Sequence, residues 1–374
     1  GSSVERNKLI ISMKDASGNA VNVENNGTFS CYAETYSYTI NAAGYEYTTG
    51  TVAVSEENKE FTITLKKTSA NAWDGVTKTE PKKDEAGVYQ IGTGAELAWF
   101  AENASKNSGI KAKLTADIDL GKYAWTAGSL EKGKCEFDGD GHRVYNLVSS
   151  NGLFKTIGNG SVVKNLTVEG IITASDGTAG GIAGYLQSGT IENCVNKATI
   201  TGGKRNIGGI AGYTYSNSAI KNCVNKGNIS VEATQVGGIL GSTMSGSMSI
   251  EGCINEGIVS GNSEVGGIVG KETSGIAVKD CYNTGKISGK SNVGGIAGQS
   301  QQTGFVNCYN AGSVNKGKGS AFAGNAAKSS FDNCYYLKKT GYDENAQELT
   351  DEELKSAELG TGFKLVCRNY PALA

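Results

Sequence analysis

The residues best equipped for chemistry are few. Four aspartates fall close together in KLTADIDLG (113–121) and FDGDGH (137–142): Asp117, Asp119, Asp138 and Asp140. Carboxylates beside turn carbonyls suit calcium. The same pattern suits Asp-Gly turns between strands, and the turn reading is preferred. His142, the only histidine, has no evident partner that would make it a general base. Three tyrosines near variable loops, Tyr185, Tyr213 and Tyr215, form the aromatic cluster placed to touch a glycan or protein. Scattered surface tyrosine is the other reading, and it is preferred. No Gly-x-Ser-x-Gly elbow occurs with a plausible triad, and no His-Glu-x-x-His motif exists. The reading is therefore no catalytic residue, no cofactor and no metal.

These residues sit in a repeat. GGIAG (180–184) returns as GGIAG (208–212), GGILG (237–241), GGIVG (266–270) and GGIAG (294–298). A phosphate loop needs one copy followed by a helix and usually Lys-Ser/Thr, none of which follows. Between the corners stand IENCVN, IKNCVN, IEGCIN, VKDCYN and FVNCYN, then FDNCYY. Their cysteines, 194, 223, 253, 281, 308 and 334, are spaced by 29, 30, 28, 27 and 26 residues. Three short strand-sized pieces per unit, too short for helices, predict a parallel β-helix with three strands per coil.

Alternation turns Ile191, Ile220, Ile250 and Val278 inward and Glu192, Lys221, Glu251 and Lys279 outward. Stacked coils would bring those alternating charges about 4.8 Å apart. The corner isoleucines plug the interior, and their flanking glycines are expected to supply positive φ at tight corners. The cysteines take the slot of Leu166, which predicts an inward file of free thiols rather than disulfides. CxxC spacing is absent, which argues against tetrahedral zinc. Asn196, Asn225, Asn255, Asn283 and Asn310 form a second column whose amides can bond along the stack. Thr173, Thr201, Ser230, Ser260 and Ser288 form a uniform hydroxyl column, better suited to a wall than to a unique site.

Composition agrees. The chain has 374 residues, with 54 Gly but only 2 Pro, which suits many turns between short strands and neither collagen nor a linker. A net charge of −2 without a basic stripe argues against nucleic acid. No apolar run approaches the roughly 18 residues of a membrane span. The opening GSSVERNK reads as a cloning remnant joined to an internal start, so the lack of a signal peptide carries no weight.

The glycine corners and N-C-x-N segments resemble the GLUG motif. The order of YQIGTGAELAWFAENA (89–104), KLTADIDLG, FDGDGHRVYNL, NGLFKTIG and VVKNLTVEG before them strengthens the likeness, which covers about residues 73–374. SAFAG (320–324) departs from it, with Ser320 and Ala321 where the glycines stand, so a reshaped corner is expected there. The resemblance implies bacterial extracellular proteins, often gut surface proteins. It extends to haemagglutinin-like adhesins and to the non-catalytic part of IgA-specific metallo-endopeptidases.

The ends need covers. TGAE (93–96) is a capping box that predicts a helix at about 94–105, and TDEE (350–353) repeats it before Leu354, Leu359 and Gly360. FKLVCRNYPALA (363–374) reads as a closing strand. Residues 1–67 alternate as a small β-sandwich, with strands at 8–14, 28–33, 35–40, 47–54 and 60–67. YSYTINAAGYEYTTGTVAV resembles PEGA-like and carboxypeptidase-regulatory-like spacer domains.

The expected architecture is all-β: a small N-terminal β-sandwich (1–67), a linker (68–87) to which Trp73 belongs, and a parallel β-helix (88–374). Caps are expected over 88–160 and 337–374. The expected function is a monomeric, non-catalytic extracellular module of a larger bacterial surface protein. Its partner would be a glycan or a host surface protein, with no nucleic acid and no membrane insertion. The alternative is a carbohydrate-active enzyme, a polysaccharide lyase or glycoside hydrolase, which would need paired carboxylates on one face.

Overall fold

A computed structural model describes residues 9–24, 28–42, 45, 48–57, 60–65, 72–175, 177–244, 247–315, 319–340, 343–344, 346–350, 353–354, 363–364 and 372–373. The chain is almost wholly β, with a parallel solenoid of about eight turns. In the coils between Thr190 and Gln299 the three expected pieces resolve into five short strands. In one coil these are Thr190–Glu192, Val195–Asn196, Thr199–Gly202, Arg205–Gly208 and Ala211–Tyr215. Each pairs in parallel with its counterpart one coil away, so long sheets run along the axis.

The register stacks like on like. Ile191, Ile220, Ile250 and Val278 are aligned and fully buried. Cys194, Cys223, Cys253, Cys281, Cys308 and Cys334 are buried and free, lying in one interior file. The asparagine column closes as a ladder. Asn196, Asn225, Asn255 and Asn283 each donate to the Oδ1 of the next asparagine at 2.7–2.8 Å, and Asn310 donates to the Ala321 carbonyl at 2.7 Å. All five side chains are fully buried, so the ladder satisfies amides that would otherwise be costly to bury. The hydroxyl column aligns as well. The outward charges Glu192, Lys221, Glu251 and Lys279 share a register, but no ion pair closes between them among the described residues.

The corner glycines correct one expectation. None of the paired corner glycines has φ in the left-handed region. They are needed for space: a Cβ on Gly181, Gly209, Gly238, Gly267 or Gly295 would overlap the amide carbon of the ladder asparagine that follows it, in the next coil. The positive φ falls instead on the residue before each cysteine. Asn193, Asn222, Gly252, Asp280, Asn307 and Asn333 have φ of 51–63°. Asn and Asp visit this region more readily than other side chains.

The ends are covered by different devices. The helix Gly94–Ala104 is capped by Thr93, whose Oγ1 accepts from the Glu96 amide while Glu96 accepts from the Thr93 amide at 3.0 Å. Its buried Leu97, Phe100, Ala101 and Ala104 plug the first coil, with the Phe100 ring 5.5 Å from Phe137. Trp73 packs edge-on against Trp125, 5.4 Å between centroids, and fixes residues 72–77 to this end.

At the far end the amides of the SAFAG corner are met by a side chain. The Asp343 carboxylate accepts from the amides of Phe322 (3.1 Å) and Ala323 (2.8 Å) and from the Ser320 hydroxyl. The second capping box forms, with Glu353 Oε2 accepting from the Thr350 amide at 2.8 Å. Leu359 and Gly360 lie outside the described residues. Of 363–374, Phe363–Lys364 pairs antiparallel with Ala372–Leu373.

The N-terminal part is one four-stranded antiparallel sheet of Leu9–Lys14, Ala20–Val21, Thr35–Ala42 and Thr48–Ala53. The expected strands at 28–33 and 60–67 make no ladder over their described residues. Phe29 and Phe61 instead pack on the sheet's buried Met13, Tyr36 and Val52 as a second layer.

Candidate binding groove

The strands before and after each glycine corner diverge and leave a crease along the solenoid. One wall carries the column Thr156, Tyr185, Tyr213, Ser242, Lys271, Gln299 and Asn325. Asn206 and Gln235, both with positive φ, stand opposite. Further along, the Glu264–Lys271 ion pair at 2.6 Å bridges the crease, and towards the C-terminal end it opens again where Asn292 and Asn325 line a cavity of about 490 Å³. In the earlier coils it opens into a groove of about 560 Å³.

Tyr185 and Tyr213 line this groove, one coil apart and in register. Their rings meet edge-on, with centroids 6.1 Å apart, and Tyr215 lies 5.9 Å from Tyr213 on the outer side. The three tyrosines singled out from sequence thus form one row. Burial holds the Tyr213 phenol above its usual range, with Tyr215 and Tyr185 adding to the effect and the Arg205 charge opposing it. The phenol is therefore a neutral donor at physiological pH. Met244, 63% exposed, extends the apolar surface at the C-terminal side. Lys155 and Arg205 bring two cations to the lining, which contains no carboxylate among the described residues. Sequence reading missed these cations, because nothing in a linear chain shows that position 155 faces position 205.

The aspartates do not converge. Asp117 binds Arg143 Nε at 2.8 Å, and that guanidinium holds its carboxyl below the usual range. Asp119 accepts from the Gly121 amide and Asn146, both at 2.8 Å. Asp138 accepts from the Asp140 amide and Asn165, and Asp140 pairs with Lys113 at 2.9 Å. His142 does have a partner: its Nδ1 lies 3.4 Å from Asp117. Among the described residues no three His, Cys, Asp or Glu side chains form a metal-holding group.

The family described as "The GLUG motif" matches residues 175–201 and 203–230, the segments that carry Tyr185, Arg205, Tyr213 and Tyr215. No curated protein matches the sequence. A solved structure from Bacteroides ovatus, named "putative immunoglobulin A1 protease", is similar with a TM-score of 0.55 and 20% identity. The match covers 79% of this chain and 95% of that one. A second, named "IgA1 Protease", has a TM-score of 0.41 and 13% identity over 97% of this chain and 32% of that chain. At these identities the likeness is one of fold. Residues 175–201 and 203–230 are GLUG motifs, carried on a parallel β-solenoid.

Proposed function

We propose that this chain is a non-catalytic extracellular module of a bacterial surface protein that binds a glycan or a host protein through the tyrosine groove. The β unit at 1–67 is its spacer, joined by 68–87 to the solenoid at 88–374. The observation that carries this reading is the row Tyr185–Tyr213–Tyr215 beside the open part of the crease. Tyrosine offers an apolar face with a polar tip, which suits surfaces that are partly wet. Among the described residues the lining holds hydroxyls, amides and two cations, without the paired carboxylates that glycoside hydrolysis uses. The neighbours named as IgA1 proteases raise peptidase activity as the competing role, and their likeness supports the scaffold only.

The test is a glycan and host-protein array with the full chain, run beside polysaccharide- and immunoglobulin-cleavage assays. Binding that falls about tenfold or more in Y213A, with no cleavage, is expected. Cleavage by the purified chain would overturn the non-catalytic reading.

A further inference from the structure

Lys155 and Arg205 are exposed, and neither makes an ion pair with any described residue. Other cations along the stack are paired. Lys164 pairs with Glu136 at 2.6 Å, Lys197 with Glu169 at 3.0 Å and Lys271 with Glu264 at 2.6 Å. Their placement is also singular along the stack. Arg205 heads a column that continues as Thr234, Ser263 and Ser291. Lys155 stands between Phe154 and Thr156, which pair with Ala183 and Tyr185, and so lies opposite Gly184. Positive charge without an ion-pair partner among the described residues therefore occurs in the crease where the tyrosines are. Where the tyrosine column becomes Lys271, Glu264 neutralises it. Ser175 and Gly177 edge the groove, and Asp176 between them in sequence lies outside the described residues.

From this geometry we infer that the groove takes an acidic glycan, anchored through its carboxylate or sulfate by Arg205 and Lys155, with sugar faces against Tyr185 and Tyr213. This rests on the glycan arm of the proposed function and goes on to name the ligand's chemistry. Charge-assisted hydrogen bonds from a guanidinium to such an anion are about twice as strong as neutral ones. A neutral sugar would leave both cations solvated and gain nothing from them. The chain's net charge of −2 gives no general attraction for anions, so the preference is local to the groove.

The experiment is calorimetric titration of the full chain at low and high salt. The probes are a galacturonic-acid oligosaccharide, a sulfated galactan oligosaccharide and the carboxyl-reduced galactose oligosaccharide. The expected result is that an acidic probe binds at least about tenfold tighter than the neutral one. R205A and K155A should remove that preference, and salt should weaken it. Y213A should weaken every probe that binds. Equal or tighter binding of the neutral probe, or unchanged acidic binding in R205A, overturns the inference and leaves the groove reading standing. No binding of any of the three probes overturns the inference too; the reading then rests on the array, and fails only if that array finds no glycan or protein ligand. A protein-only ligand on that array also overturns it. Circular dichroism and thermal melts of each variant confirm that a lost preference is not lost folding.

Discussion

At Gly238 a methyl group has no free volume to enter. The Cβ would overlap the Asn255 amide carbon on one side and the Gly267 carbonyl on the other. Gly238→Ala should therefore lower stability by about 3 kcal/mol or more, read as a drop in the urea midpoint, because backbone cannot yield as a side chain can. The SAFAG corner shows the converse. Ala321 occupies the equivalent place where Tyr336 stands in register with the last ladder asparagine, Asn310. Glycine and asparagine are lost together.

A second residue-scale expectation concerns Tyr282, stacked on Tyr309 at 4.8 Å. Burial, with the Glu256 charge adding, raises its pKa from 10.0 to about 12. The fold prefers the neutral phenol. That stabilisation is fully present below the unfolded value near 10 and is lost as pH rises through about 12. Ultraviolet titration should find Tyr282 among the phenols that ionise late, and Y282F should reduce that late phase by one tyrosine. Ionisation of every tyrosine near pH 10 in the folded chain would contradict the burial.

Among elements, the helix Gly94–Ala104 is legible in the sequence because its signals are local. Thr93 and Glu96 lie three residues apart, and the apolar residues that follow share one face. Thr93→Ala should cost about 1 kcal/mol and loosen amide protection first in residues 94–97. Unchanged protection there would mean that packing of Phe100 on Phe137 holds the helix without its cap. The strands expected at 28–33 and 60–67 alternate well enough to suggest ladders, but alternation reports a buried face and not a pairing partner. Phe29 and Phe61 do turn inward, packing on the sheet's buried side chains without extending an edge among the described residues. Asp343 is not legible at all, since its carboxylate meets corner amides 20 and 21 residues earlier in the chain, a spacing that no repeat signals.

For the molecule as a whole, one interior file runs the length of the repeats. Burial and the neighbouring thiols push Cys223 and Cys281 up, which makes them poor nucleophiles. Exposed Cys31 should react with an aromatic disulfide reagent at once, whereas Cys194, Cys223, Cys253, Cys281 and Cys308 should react only at the rate of unfolding. Peptide mapping after timed labelling checks this. Rapid labelling of the file in folded protein would mean that the coils open far more readily than their packing implies.

What the sequence alone determined was what recurs with the coil: the period, the inward file of thiols and the asparagine column. A parallel solenoid places residues one period apart directly over each other, so a linear count predicts a spatial neighbour. What only the tertiary structure decided lies across the coil. It showed that corner glycines make room for amides rather than supply positive φ, that the four aspartates go to separate partners, and that Lys155 and Arg205 share the tyrosines' groove. Those relations depend on how each coil bends, and the bend is set by packing of side chains that no repeat count brings together.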